Sequence, residues 1–300
     1  MVFSQMRVFR SLSLIEGLLL AVALIWAANF SVVKASLPFI DPMSFNAFRF
    51  GISIVLMVGI LVWKGDYTLI PLRDIPALFG LGLLGNTAYQ LFFIFGLNLT
   101  HSANASVMLG TIPVWVALVS HFFFDEKMTR NRLIGVSLTF GGIVLILTGS
   151  GKELSFGSGT LYGDMLTLGS ALVFGTYTVL SKDFLKRYPP LQLTVMSMVS
   201  GGGVLVVAAI PNLRMLDVAA IPTGAWLGVA YSGLLSVGLA YIIWNYALNQ
   251  VGAVRTATYQ NLVPVLGLLI GYFLMGEPLA VLQMAGSLIV IGGIIVTRRG

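Results

Sequence analysis

The sequence predicts an all-α integral membrane protein with ten transmembrane helices, arranged as two five-helix repeats of opposite orientation. Three observations carry this expectation. Of the 300 residues, 57% are hydrophobic and 9% charged, whereas a water-facing domain carries about a quarter charged residues. The apolar residues are blocked into long runs such as 18–30 and 107–124. Runs of this kind suit the roughly 20 residues a helix needs to cross hydrocarbon about 30 Å thick, and they do not resemble the alternating strands of a membrane barrel. Finally, the second half of the chain repeats the first.

Taken in order, the predicted spans are 14–33, 44–63, 75–97, 103–124, 133–149, 161–180, 191–210, 224–248, 254–275 and 281–297. Proline, glycine and charge mark the breaks, as at Asp41-Pro42, Asp125-Glu126, Tyr188-Pro189-Pro190 and Glu277-Pro278. The N-terminus has the polarity of a signal peptide, with Arg7 and Arg10 before an apolar run. That run lacks a small-residue cleavage site and is long enough to span, so it is taken as the first helix. The loops leave no room for a soluble catalytic or ATP-hydrolysing domain. With an N-terminus in the cytoplasm, all of the 17 Lys and Arg except Lys34, Arg49, Lys152 and Arg214 fall on the cytoplasmic side, as the positive-inside rule requires. Both termini are therefore expected there. The net charge of +6 is scattered between apolar runs, which fits topology and argues against a nucleic-acid partner. Cysteine is absent, so disulfide and thiol chemistry play no part.

The repeat is legible in register. Trp26–Lys34 (WAANFSVVK) aligns with Phe174–Lys182 (FGTYTVLSK), and at the same offset of 148 residues Pro42 meets Pro190. At an offset of 151, Pro113-Val114 meets Pro264-Val265, Glu126 meets Glu277, Gly135 meets Gly286, and Gly141-Gly142 meets Gly292-Gly293. The predicted domains are thus residues 1–150 and 151–300. An odd number of helices per repeat forces the second to enter from the opposite face, the plan of many secondary transporters.

These residues resemble the duplicated EamA-type domains of the drug/metabolite transporter superfamily. The resemblance rests on the aromatic-to-Lys first helices, the Pro-Val pair of each fourth helix, and the stretch Gly276-Glu277-Pro278-Leu279 followed by Gly286 and Gly292-Gly293. The first repeat departs locally, with Asp125-Glu126-Lys127 in place of Gly-Glu-Pro-Leu. What the resemblance implies is a multi-pass exporter of small metabolites in the bacterial inner membrane, with a central cavity lined by helices one, three, four, six, eight and nine. Amino-acid exporters, including those for aromatic amino acids, belong to that group. The implied partners are a small-molecule substrate and membrane lipid, with the chain a monomer or weak dimer and no cofactor or metal.

Binding residues are expected near mid-membrane, where polar groups converge in an apolar wall. The candidates are Trp26 and Asn29 in the first helix, Asn86, Tyr89 and Gln90 in the third, and Met108 and Thr111 in the fourth. Phe174 and Tyr177 follow in the sixth, Trp244 in the eighth, and Tyr259 and Gln260 in the ninth. Asn104, Trp115, Phe93, Tyr241, Asn245, Arg255 and Asn261 lie on the same stripes or beside them. Aromatic and amide groups of this kind suit stacking on a side chain while hydrogen-bonding a zwitterion, although Tyr and Trp also form interface belts and amides also bridge helices. Pro113 and Pro264, equivalent in the repeats, are candidate hinges or static kinks. All eleven acidic residues fall at predicted helix ends or in loops, and intramembrane carboxylates are the usual mark of ion coupling, so an uncoupled facilitator is favoured. The alternatives are an ion-coupled exporter of other amphipathic metabolites or drugs, a channel, and an intramembrane enzyme. No enzyme motif is met: Gly157-Ser158-Gly159 has no histidine nearby, and Glu126 and Glu277 would emerge on opposite faces. Lys34, Arg49 and Asp164 are expected near the outer mouth, with the cations snorkelling.

Overall fold

The computed structural model describes residues 2–65, 67–100, 105, 108–123, 129–149, 161–275 and 280–299. Asn104, Glu126, Glu277 and the turn at 276–279 lie outside the described residues. Among the described residues all regular structure is helical. The cause is the solvent: in hydrocarbon every backbone N–H and C=O must be satisfied within the protein, and a helix does this locally.

The first helix, α1, runs Val2–Ser36 and α2 runs Pro42–Lys64. Asp41 caps α2, its carboxylate accepting from the backbone N–H groups of Met43 and Ser44, both at 3.1 Å, with Pro42 pre-set in the first turn. Gly65, at φ 62°, closes the other end through its N–H to the Leu61 carbonyl. Next come α3 (Leu72–Leu99), the short α4 (Ile112–Phe123), α5 (Arg130–Thr148), α6 (Leu161–Phe184) and α7 (Pro190–Ala208). The chain then continues through a small helix, Ile210–Met215, to α8 (Thr223–Val251). The ninth element, α9, comes in pieces: Ala253–Thr258, a 3-10 turn Tyr259–Asn261, and Leu262–Met275. The last, α10, is Val281–Arg298. By length and composition α1, α2, α3, α7 and α8 are each apolar enough to cross a membrane. Together with the exposed apolar side chains along the bundle, such as Val55, Val207, Phe273 and Leu288, they define an all-α membrane protein. Where the predicted spans fall on described residues they are helical, with most boundaries moved by a few residues, whereas α1 starts at Val2 in place of residue 14.

Glycine brings pairs of helices into backbone contact. A Cβ on Gly142 would lie 2.7 Å from the Gly286 carbonyl oxygen, and one on Gly293 would lie 2.7 Å from that of Gly135. As the α5 number rises its α10 partner falls, so these two helices are antiparallel. The same test makes α3 antiparallel to α6, since Gly96 meets Thr167 and Gly85 meets Tyr177. It also makes α1 antiparallel to α8, since Ser36 meets Gly228 and Trp26 meets Ser236.

Three helices depart from α geometry midway. Wider π turns occupy Leu83–Ala88 in α3, Met198–Gly202 in α7 and Ser232–Leu239 in α8. In the repeat register of 151 residues the first falls inside the third. Such turns slacken the hydrogen-bond ladder and concentrate at functional sites. A neighbouring side chain donates to a carbonyl in two of them: Trp26 Nε1 to Ser236 O (3.1 Å) and Thr87 Oγ1 to Gly201 O (2.7 Å).

One end of the bundle, which carries Lys64, Arg73, Lys182 and Lys186, is tied across helices by polar contacts. Asp74 accepts from Arg187 Nη1 (2.7 Å) and from the Tyr188 hydroxyl (2.6 Å). The Gln192 side chain accepts from the Thr68 backbone N–H (2.9 Å) and hydroxyl, and donates to the Thr68 carbonyl (2.8 Å).

Of each adjacent glycine pair in α5 and α10, one faces the partner helix and one has open space, because nothing lies within 4 Å of a Cβ on Gly141 or Gly292. Gly142→Ala and Gly293→Ala should each cost about 1–3 kcal/mol through overpacking, read as a fall of several degrees in the unfolding midpoint of the detergent-solubilised protein. Gly141→Ala and Gly292→Ala should leave that midpoint unchanged or slightly raised.

Candidate functional site

Midway along the bundle the π turns and the broken α9 leave a cavity. It is lined by Trp26, Asn29 and Phe30 of α1, Arg49 of α2, and Tyr89, Gln90 and Phe93 of α3. Leu109 and Gly110, Ser236, Val237 and Tyr241 of α8, and Gln260, Val263 and Pro264 of α9 complete the wall. Its composition follows from local sequence. In α3, Tyr89, Gln90 and Phe93 share one face at helical spacing, immediately after the π turn. In α8, Ser236 and Val237 lie within the π turn and Tyr241 one turn beyond. In α9, the 3-10 turn ends at Asn261, and Pro264 sits in the first turn of the helix that follows, where its missing N–H costs nothing. The equivalent break before Pro113 is a turn at Thr111. Both prolines therefore start a new helical piece rather than kink a continuous one.

Behind the wall lies an aromatic cluster centred on Phe174, whose ring lies 4.6 Å from that of Tyr89, 5.5 Å from Trp244, 5.9 Å from Tyr177, 6.1 Å from Trp26 and 6.2 Å from Tyr241. Tilted and edge-on contacts of this kind stabilise by about 0.5–1.5 kcal/mol each beyond burial. A polar network faces them. Arg49, 1% exposed, donates from Nε to Asn46 Oδ1 (2.8 Å), from Nη1 to Ser232 Oγ (3.2 Å) and from Nη2 to Gln90 Oε1. Gln90 Nε2 in turn donates to the Tyr241 hydroxyl (3.2 Å).

Of the residues expected from sequence, the cavity brings together Trp26, Asn29, Tyr89, Gln90, Gln260 and Pro264. Others stand behind its wall. Asn86 is fully buried and donates to the Ser197 carbonyl of α7 (2.8 Å). Tyr177 packs against Gly85, and Asn245 Nδ2 donates to Tyr177 at 3.4 Å and to Thr194 at 2.8 Å. Phe174 and Trp244 form the buried cluster, and Pro113 is buried in α4. Thr111 donates to the Met108 carbonyl and accepts from Trp115 Nε1, so these residues stabilise the α4 turn among themselves. Tyr259 is 8% exposed within the 3-10 turn.

Two expectations are corrected. Helix six does not line the cavity and α2 does, because Phe174 and Tyr177 are consumed by core packing. Arg49 is not at an outer mouth, snorkelling, but enclosed. The signal for it was present: Asn46, Arg49, Phe50, Ser53 and Met57 recur at helical spacing on the buried face of α2. Ser236 and the π turns left no comparable signal. Asp164 is also buried, 3% exposed, and accepts from Thr100 Oγ1, whereas Lys34 is exposed. Among the described residues no cluster of ligating side chains could hold a metal ion.

An all-helical membrane bundle enclosing a mixed aromatic and polar cavity at mid-depth has the architecture of a small-molecule transporter. The chain belongs to the EamA-like transporter family, which matches residues 13–148 and again residues 161–299. It is 28% identical over 279 residues to the uncharacterized transporter YyaM of Bacillus subtilis (strain 168), covering 93% of this chain and 91% of that one. It is 30% identical over 274 residues to an uncharacterized transporter of Archaeoglobus fulgidus, covering 91% and 95%. A probable terminal-alkyne amino-acid exporter of Streptantibioticus cattleyicolor is 26% identical over 227 residues, covering 76% of this chain and 74% of that one. A solved crystal structure superposes with a TM-score of 0.79 at 18% identity, over 93% of this chain and 96% of the other, and so shares the fold.

Side chains at the wall and behind it should separate in a binding assay. Asn29→Ala should raise KM for a transported substrate several-fold with little change in the unfolding midpoint. Asn86→Leu, which removes the shorter of two side-chain hydrogen bonds to the Ser197 carbonyl, should cost about 1 kcal/mol of stability, read as a lower unfolding midpoint, and leave KM unchanged.

Proposed function

We propose that this protein is a secondary transporter that exports small metabolites, foremost amino acids including aromatic ones, across the bacterial inner membrane without ion coupling. The observation that carries this reading is the cavity, where amide, hydroxyl and guanidinium groups meet a wall of aromatic rings. Such a surface can take an amphipathic zwitterion and exclude lipid. The name of the Streptantibioticus cattleyicolor relative, a probable terminal-alkyne amino-acid exporter, points the same way.

The proposed mechanism is alternating access between two inverted five-helix repeats, residues 1–150 and 151–300, with both termini in the cytoplasm. Supporting it are the antiparallel pairing of α5 with α10, and the matching pairs α3–α6 and α1–α8. The helix breaks before Pro113 and Pro264 serve as hinges in this scheme, since a broken ladder bends at low cost. The contacts of Asp74 with Arg187 and Tyr188, and of Thr68 with Gln192, tie the end that must open to the cytoplasm.

Purified protein in proteoliposomes should exchange labelled phenylalanine or leucine for unlabelled substrate, saturably and with no imposed ion gradient. Exchange that starts only after a proton or sodium gradient is imposed would replace the uncoupled mechanism with a coupled one. Orientation is tested separately, because the chain contains no cysteine. Single-cysteine variants L69C and M215C place a thiol at exposed positions, between α2 and α3 and between α7 and α8. In intact cells with the outer membrane permeabilised, an impermeant maleimide should label M215C, and L69C only after the inner membrane is opened.

A further inference from the structure

Arg49 combines properties that a structural brace alone does not require. It is fully enclosed, it lines the cavity, and its three observed donors go to neutral acceptors on α2, α3 and α8. The ion pairs seen among the described residues are elsewhere, at Asp74 with Arg73 and Arg187, and between Asp183 and Lys186. A guanidinium keeps its charge in proteins and has five N–H donors, so about two remain beyond those three bonds. A buried charge without a counter-charge is strongly disfavoured, and within a membrane it marks a ligand pathway by default. A planar fork with donors to spare matches a carboxylate better than any neutral group.

The opposite chemistry is present in the same cavity. Asn29 Oδ1 and Gln260 Oε1 are buried without a hydrogen-bond partner, although Asn29 is only 5% exposed and native proteins rarely leave such acceptors unsatisfied. Both residues line the cavity, on α1 and α9. Orphaned carbonyl oxygens suit a donor such as an ammonium. Trp26, Phe30, Tyr89 and Phe93 supply the remaining apolar surface.

We infer that Arg49 is the carboxylate anchor of the cavity and that Asn29 and Gln260 receive the ammonium group, so that the site selects α-amino acids with an apolar side chain. This rests on the transporter reading for its physiological meaning, but the recognition itself is testable without transport.

The experiment compares three probes that share a phenyl ring: phenylalanine, 3-phenylpropionate, which keeps only the carboxylate, and 2-phenylethylamine, which keeps only the ammonium. Each is used to inhibit phenylalanine counterflow in proteoliposomes, and to perturb the tryptophan fluorescence of the full chain in detergent. In the wild type, 3-phenylpropionate should act at a concentration about 10-fold or more below that of 2-phenylethylamine, the scale of one charged hydrogen-bonded contact. R49Q should lose that preference, R49K should keep part of it, and N29A should weaken phenylalanine more than 3-phenylpropionate. Equal potency of the two half-molecules on the wild type overturns the inference, as does a folded R49Q with wild-type affinity for 3-phenylpropionate. If R49Q does not fold, the wild-type comparison together with N29A decides. If no amino acid exchanges, the transport reading fails while the fluorescence comparison still judges the anchor: a carboxylate preference upholds it, and its absence, including no binding of any probe, rejects it.

Discussion

Hydrocarbon supplies no hydrogen bonds, and most of this structure follows from that one constraint. It confines the backbone to helices, and it also dictates what polar side chains do. Several buried hydroxyls return to carbonyls of their own helix, as Thr167 does to Gly163, Thr178 to Phe174 and Thr297 to Gly293. In two of the three π turns a neighbour donates to one of the carbonyls, Trp26 to Ser236 and Thr87 to Gly201. The Arg49 cradle obeys the same rule with side-chain oxygens. Some buried polar atoms stay without a partner away from the cavity, such as Asn86 Oδ1, Asn245 Oδ1 and Trp244 Nε1; those on cavity-lining residues are Asn29 Oδ1 and Gln260 Oε1, where a ligand can complete them.

Close packing and open space are made by different residues. Glycines at the α5–α10 and α3–α7 crossings let backbones touch; a Cβ on Gly201 would lie 1.9 Å from the Gly82 carbonyl oxygen. Those contacts seal the periphery. The cavity arises where regular geometry is interrupted, in the π turns of α3 and α8 and in the 3-10 turn of α9. Phe174 joins the two regions: it sits on α6 and packs against rings from α1, α3 and α8, which themselves line the cavity.

Much of the fold was legible because its signals are local and additive. Twenty apolar residues in a row, a Pro after Asp41, and paired prolines at 189 and 190 identify spans and their ends without any tertiary information. The site was legible only in part. Tyr89, Gln90, Trp26 and Gln260 stand out as polar or aromatic groups in apolar runs. By the same criterion Asn86 and Tyr177 stand out equally, yet their hydrogen bonds and contacts are spent on α7 and Gly85. Repeat symmetry misled for α6, because equivalent positions in the two halves need not share an environment once large rings fill one of them. Arg49 was misplaced because a cation six residues into a predicted span ordinarily reaches for the interface; only its register on the buried stripe of α2 argued otherwise.

The sequence by itself determined the membrane-embedded helical class, the order of the apolar spans, the internal repetition and the family, since these depend on composition, run length and spacing along one chain. Tertiary structure alone decided which face of each helix meets the cavity, that α2 lines it in place of α6, and that the helices break at the π and 3-10 turns. It also decided that Arg49 has no carboxylate beside it among the described residues. These are questions of which groups meet across helices, and whether a polar atom is satisfied or left open depends on partners 40 to 200 residues away, such as Gln90 and Ser232 for Arg49.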